Sequence, residues 1–300
     1  MRDVRILQIL FLGTLLAAGA WLRDFSLRPS QVALTFFAGI ATQVLCARTR
    51  GLKRIGIPSA VITCLSLSIL LRSDTLWAHP LLAAAAIGSK VLIRVRGKHV
   101  FNPGNLGIIL GLLLVPGTWT SPGQWGQDLA FAGWFVALGT IVTCRARRGD
   151  ISWAFLAFYL GLLAARVAWL GQSLAVFVHQ IGNGSLLLFA FFMISDPMTI
   201  PNHPRGRMVH AALVAGLAAI WQFGLYRPNG LLFALFLLAP VVALWDRLWP
   251  APKFTWQQNA SQGETHGPMF AIRPRPDIPA FPADTAGLDS LVPGNIASRR

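Results

Sequence analysis

The chain has 300 residues, 54% of them hydrophobic and 12% charged, and a mean hydropathy of +0.57, which excludes an ordinary soluble domain and marks an integral membrane protein. The formal net charge of +15 does not signal a nucleic-acid binder, because the basic residues fall in short clusters between apolar runs, as they do in membrane loops. Three cysteines without paired spacing (Cys46, Cys64, Cys144) imply neither a disulfide framework nor a metal knuckle.

In chain order, apolar runs predict ten spans, near 6–22, 31–46, 57–71, 76–93, 104–116, 129–144, 151–170, 174–194, 209–226 and 228–248. The first follows Arg2 and Arg5 and imitates a signal peptide, with Ala18-Gly19-Ala20 resembling a cleavage site; it is kept as a helix because the later spans need it for the topology to close. The runs at 57–71 and 104–116 fall short of the roughly 20 residues of an ordinary crossing, so they are tilted, sit at a thin place or pack as half-helices inside the protein. Residues 1–250 are therefore expected to form one transmembrane domain. Residues 251–300 are expected to be a disordered cytoplasmic tail, since 257–300 is proline-rich without apolar periodicity.

Charge orients these spans. Counting the N-terminus as the first gap, alternate gaps hold fourteen Lys and Arg residues, among them Arg48, Arg50, Arg94, Arg96, Lys98, Arg147 and Arg205. The opposite gaps hold four: Arg23, Arg28, Arg72 and Arg227. The positive-inside rule then makes both ends cytoplasmic in a bacterial-type inner membrane.

Two proline-broken motifs lie between apolar runs: Phe101-Asn102-Pro103-Gly104-Asn105-Leu106-Gly107, and Phe191-Phe192-Met193-Ile194-Ser195-Asp196-Pro197-Met198-Thr199. Proline cannot continue a helix but fits the first turn of a new one, and Asn or Asp just before it can cap that helix. Each motif thus reads as one element stopping and another starting, with backbone N–H groups placed where a ligand can use them. A weaker internal echo pairs Cys46–Gly51 with Cys144–Gly149; it fits duplicated halves and equally fits any basic loop after a helix.

With these motifs, with Lys98-His99-Val100 leading into the first and Pro201 and Gly206 following the second, and with Arg227-Pro228-Asn229-Gly230, the chain resembles the NqrB/RnfD family over about residues 30–250. These are membrane subunits of the sodium-pumping NADH:quinone oxidoreductase and of the Rnf ferredoxin:NAD oxidoreductase complex. The resemblance implies an all-α polytopic protein of about ten transmembrane helices in two related halves, similar in architecture to urea and ammonium transporters. It also implies flavin-associated electron transfer coupled to ion transport within a multi-subunit complex. The implied FMN or riboflavin pocket would draw on Asn102, Asn105, Asp196 and Thr199, with the basic side chains Lys90 and Arg94, for which snorkelling to headgroups is the favoured alternative. One departure matters: family members carry FMN on a threonine in a Ser-Gly-Ala-Thr sequence, and the stretch Gly117–Gly126 lacks it. Any flavin is then expected to be non-covalent, or linked at best through a hydroxyl of Thr118, Thr120 or Ser121.

His179, Asn183 and Ser185 on the eighth span are polar at membrane depth and read as pocket-lining, or as interhelical hydrogen-bonding groups. Within the spans Asp246 is the one acidic residue, near an end, and Asp196 lies just past the end of another, so the chain alone is poorly provided with the carboxylates of a cation path. No metal site is expected. The leading expectation is a membrane-embedded redox subunit with the lipid bilayer and other subunits as partners. Its competitors are a small-solute channel or carrier on the same fold without redox chemistry, and a purely structural assembly partner.

Overall fold

A computed structural model of the chain describes residues 3–22, 27–51, 55–121, 129–182 and 184–254. The expected tail beyond residue 254 and the loop at 122–128 lie outside the described residues. Helices occupy each of the ten apolar runs: α1 (Val4–Leu22), α2 (Pro29–Thr49), α3 (Ile57–Leu70), α4 (Ala78–Leu92), α5 (Pro103–Leu114), α6 (Leu129–Arg145), α7 (Gly149–Trp169), α8 (Leu174–Ile181) with α9 (Gly184–Leu188), α10 (Pro204–Ala219), and α11 (Gly230–Leu238) with α12 (Val242–Leu248). Four helical stretches among the described residues are long and apolar enough to cross a bilayer: Val4–Trp21, Pro29–Thr49, Gly149–Trp169 and Gly230–Leu248. A fifth is reached if α8 and the α9 segment, set at 50° to one another, count as one broken span. The chain is a predominantly helical, multi-pass membrane protein.

The short runs are short in the structure as well. α5, with 12 residues, is about 18 Å long, well under the roughly 30 Å hydrocarbon layer. Both α3 and α5 hand the chain to strands, α3 from a buried end and α5 from exposed Leu113 and Leu114, which a helix-only reading does not anticipate. β1 (Leu71–Ser73) pairs antiparallel with β4 (Thr118–Thr120), Leu71 opposite Thr120 and Ser73 opposite Thr118. The ladder satisfies backbone polar groups of β1, which is buried throughout. A second ladder, β2 (Arg94–Val95) with β3 (Lys98–His99), forms a tight hairpin between α4 and α5.

The core centres on the residues before Asp196. A π-helical turn, Phe189–Met193, continues α9 and is buried along its whole length. Phe11 of α1 stacks on Phe192 at 4.9 Å and meets Phe135 of α6 edge-on at 5.7 Å, while Phe189 packs against Phe155 of α7 at 5.0 Å. Gly139 of α6 makes this possible, because a Cβ there would lie 2.6 Å from Phe191. α2 packs along α4 as α7 packs along α10, and the α4–α5 contact has its parallel in α10–α11.

Candidate functional site

The site begins with a helix start. Asn102 lies in extended backbone before Pro103, and its Oδ1 accepts the Asn105 N–H at 3.1 Å, so the expected cap of α5 is present. The cap leaves the side-chain amide free to donate elsewhere. Asn102 Nδ2 reaches the Met193 carbonyl at 3.3 Å and Asp196 Oδ2 at 3.4 Å. The two proline motifs, more than ninety residues apart in the chain, thus meet through one side chain. Asn105 is buried one turn into α5 and donates to the Leu232 carbonyl of α11 at 3.1 Å.

The second motif differs from its expectation. No helix starts at Asp196; its Oδ1 accepts the Met198 N–H at 3.1 Å, and its carbonyl accepts the Thr199 N–H at 3.0 Å, forming a capped turn. The next helix, α10, begins at Pro204 with His203 as its cap, through Nδ1 and the Arg205 N–H at 3.1 Å. Pro201 gives the reason: a helix opened at Pro197 would meet a second proline in its interior, losing a donor and clashing with the preceding turn. Burial holds the Asp196 carboxyl above the usual carboxylate range, opposed by its hydrogen bond from the Met198 N–H and by Lys90 and Lys98 nearby.

Asn102, Asp196 and Lys90 line one cavity of about 80 Å³, with Ser59, Ser66 and His99. Lys90 Nζ donates to both the carbonyl and the hydroxyl of Ser59 at 3.1 Å. His99 Nδ1 lies 3.0 Å from the Lys90 carbonyl, which makes Nδ1–H the donor, and burial with Arg94 and Lys90 pushes the imidazole down to about 4. Arg94 does not join this cavity; it is exposed on β2 and bonds the Gly97 carbonyl at 3.2 Å. The volume suits water molecules or a small ion. It lies well below the roughly 300–1,000 Å³ of pockets that enclose a cofactor-sized ligand, so an isoalloxazine ring does not fit between the motifs as they stand.

The hydroxyl candidates lie at the other end of α5. Thr120 Oγ1 donates to Asn229 Oδ1 at 2.6 Å, Thr118 Oγ1 to Ser73 Oγ at 3.3 Å, and the buried Ser121 joins the Leu70 carbonyl through its N–H at 2.9 Å. Thr120, Ser185, Gln222 and Asn229 line a second recess of about 200 Å³. Thr199 is buried and bonded to the Asp196 carbonyl at 3.3 Å. His179 is exposed on α8 and lines neither recess, and Asn183 lies outside the described residues.

A polar network not expected from the sequence braces the Asp196 turn. Lys98 Nζ pairs with Asp246 Oδ2 at 2.9 Å and donates to Asn202 Oδ1 at 3.3 Å, while Asp246 Oδ1 accepts the Asn202 N–H at 2.8 Å. Arg207 donates to the Asn202 carbonyl at 2.6 Å and pairs with Asp150 at 2.5 Å. The available signal was scarcity: in a chain with eleven acidic residues, one beside a helix end needs a basic partner.

A multi-pass helical membrane protein with a polar cavity at broken-helix motifs is the class these features define. Residues 130–254 match the NQR2, RnfD, RnfE family profile, which takes in α7 to α12 and nearly all of α6, with the Asp196 motif and Arg227–Gly230. This stretch is narrower than the 30–250 expected and leaves out the Asn102 motif. The chain is similar to bacterial proteins named as one of the subunits of an ion-translocating oxidoreductase complex. It is 34% identical over 130 residues to that of Yersinia pseudotuberculosis serotype O:1b (strain IP 31758), covering 40% of this chain and 36% of the relative. It is 34% identical over 134 residues to that of Cronobacter sakazakii (41% and 37%), and 42% identical over 69 residues to that of Tolumonas auensis (23% and 20%). The matched stretch thus spans little more than a third of the first of these relatives.

Proposed function

We propose that this chain is a membrane component of an ion-translocating oxidoreductase, of the type its relatives are named for, working beside other membrane subunits. In this reading it crosses a bacterial inner membrane about ten times in two related halves, in the manner of urea and ammonium transporters, with both termini cytoplasmic. Helices at all ten apolar runs, the recurrence of α2–α4 packing in α7–α10 and the fourteen-to-four charge bias support that topology.

The observation that carries the reading is the junction of Asn102 with Met193 and Asp196 around a small polar cavity. Irregular backbone at membrane depth is tolerated where it lines a cavity or is buried in protein. A space of about 80 Å³ facing both the Lys90 ammonium and the Asp196 carboxyl suits an ion or water, not a flavin. The Thr120–Asn229 recess, at about 200 Å³, is also smaller than a cofactor-sized pocket, so any FMN or riboflavin that this chain carries is assigned to the surface at the β4 end, near Thr118, Thr120 and Ser121. The same small cavity favours a second reading, a small-solute channel or carrier without redox chemistry. A visible absorption spectrum of the purified protein separates the two. A flavin spectrum supports the oxidoreductase reading, and a colourless protein that conducts or exchanges a small solute in vesicles overturns it.

A further inference from the structure

From the groove between the β2–β3 hairpin and α12, we infer that this chain holds an anionic glycerophospholipid at a defined site. The groove has a volume of about 300 Å³. Ile93, Val95 and Val100 form one wall, and Val242 and Ala243 form the other. Leu92, Leu244 and Leu248 are exposed nearby, so the groove is flanked by surface suited to hydrocarbon.

One end of the groove is basic. Val95-Arg96-Gly97-Lys98 is a two-residue hairpin turn with Arg96 at φ 51° and Gly97 at φ 82°, the left-handed pair that such turns require. Arginine is a costly residue at the first of these positions, yet it sets an exposed guanidinium at the mouth of the groove. Lys253 arrives from beyond α12 and donates to the Arg96 carbonyl at 2.6 Å, and Arg94 bonds the Gly97 carbonyl. Three cationic groups therefore gather on one turn. Among the described residues that line the groove, the one acidic side chain is Asp246, which is engaged by Lys98 and the Asn202 N–H and does not oppose an incoming phosphate. An apolar trough ending in clustered, exposed cations complements an acyl chain joined to a phosphodiester. Basic pockets beside membrane helices select anionic headgroups by this arrangement.

The test is native mass spectrometry of the detergent-purified full chain titrated with dioleoyl phosphatidylglycerol or dioleoyl phosphatidylcholine. The parent is expected to retain the anionic lipid on the order of tenfold better than the zwitterionic one. Arg96→Gly with Lys253→Ser should reduce that preference to about threefold or less, and the glycine also relieves the backbone strain of the turn. Arg28→Gln with Arg227→Gln, which removes the same charge elsewhere, should leave it unchanged. Ala243→Trp, filling the trough, should weaken retention of both lipids. Equal retention of the two lipids by the parent overturns the proposal and leaves the groove to a partner helix. An unchanged preference in the Arg96/Lys253 variant, or an equal loss in the Arg28/Arg227 control, overturns it as well.

Discussion

Asn102 does two jobs with one amide: its oxygen caps α5 and its nitrogen ties down the Asp196 turn. Substitutions can separate them. Asn102→Leu loses both, and is expected to cost about 0.5–2 kcal/mol for the cap alone, read as a lowered unfolding midpoint in detergent. Asn102→Asp keeps a capping oxygen but sets a carboxylate against Asp196. Relative to the parent it should be destabilised at neutral pH and recover in acid, where the two carboxyls share a proton. A uniform deficit at every pH would mean that the Asn102–Asp196 contact is incidental. His99 gives a second pH effect. Its folded pKa of about 4 lies below the ordinary imidazole value, so the unfolded chain binds the extra proton in between. The contribution of neutral His99 is thus present above about pH 6.5 and is lost as pH falls from there toward 4. The parent should lose midpoint between pH 7.5 and 5, and His99→Gln should lose measurably less.

Among the elements, the π-helical turn Phe189–Met193 is where α1, α6 and α7 converge, and its packing depends on the missing side chain at Gly139. Gly139→Ala should destabilise by about 1–3 kcal/mol, because the Phe191 ring must move to admit a methyl group. Gly161→Ala on α7 meets nothing within 4 Å and should be neutral or stabilising by up to about 1 kcal/mol. Equal effects in thermal unfolding would deny the α6–Phe191 contact. The Lys98–Asp246 pair joins the hairpin to α12, and both side chains are nearly buried. Lys98→Met, leaving Asp246 unpaired, should cost about 3–5 kcal/mol. Adding Asp246→Leu should restore part of that loss, because the orphaned charge goes with it.

At the scale of the whole molecule, the charge asymmetry makes a geometric claim: Cys144, exposed at the end of α6, and Trp119 on β4 lie on opposite sides of the membrane. In a Cys46→Ser background, an impermeant thiol reagent should modify Cys144 from the cytoplasmic side. A Trp119→Cys substitution should label from the outside. Same-side labelling would end the ten-crossing topology. If the topology holds, the Asn102–Asp196 cavity lies toward the cytoplasm and the Thr120–Asn229 recess toward the exterior, with the short α5 between them.

The sequence by itself determined the membrane class, the positions of the helices, the alternation of basic residues between gaps and the cap at Asn102. All of these are written in composition or within a few residues, where helical periodicity and proline chemistry act. Even the turn at Asp196 was legible in principle, since Pro201 forbids the helix expected there. Only the tertiary structure decided the rest. Asn102 meets Asp196 across 94 residues, Lys98 meets Asp246 across 148, and Thr120 meets Asn229 across 109. β1 and β4 pair because two short helices end beside each other, not because either strand has a pattern of its own. Such pairings depend on how helices pack, and local residue patterns carry no record of which distant segment arrives to share a buried polar group.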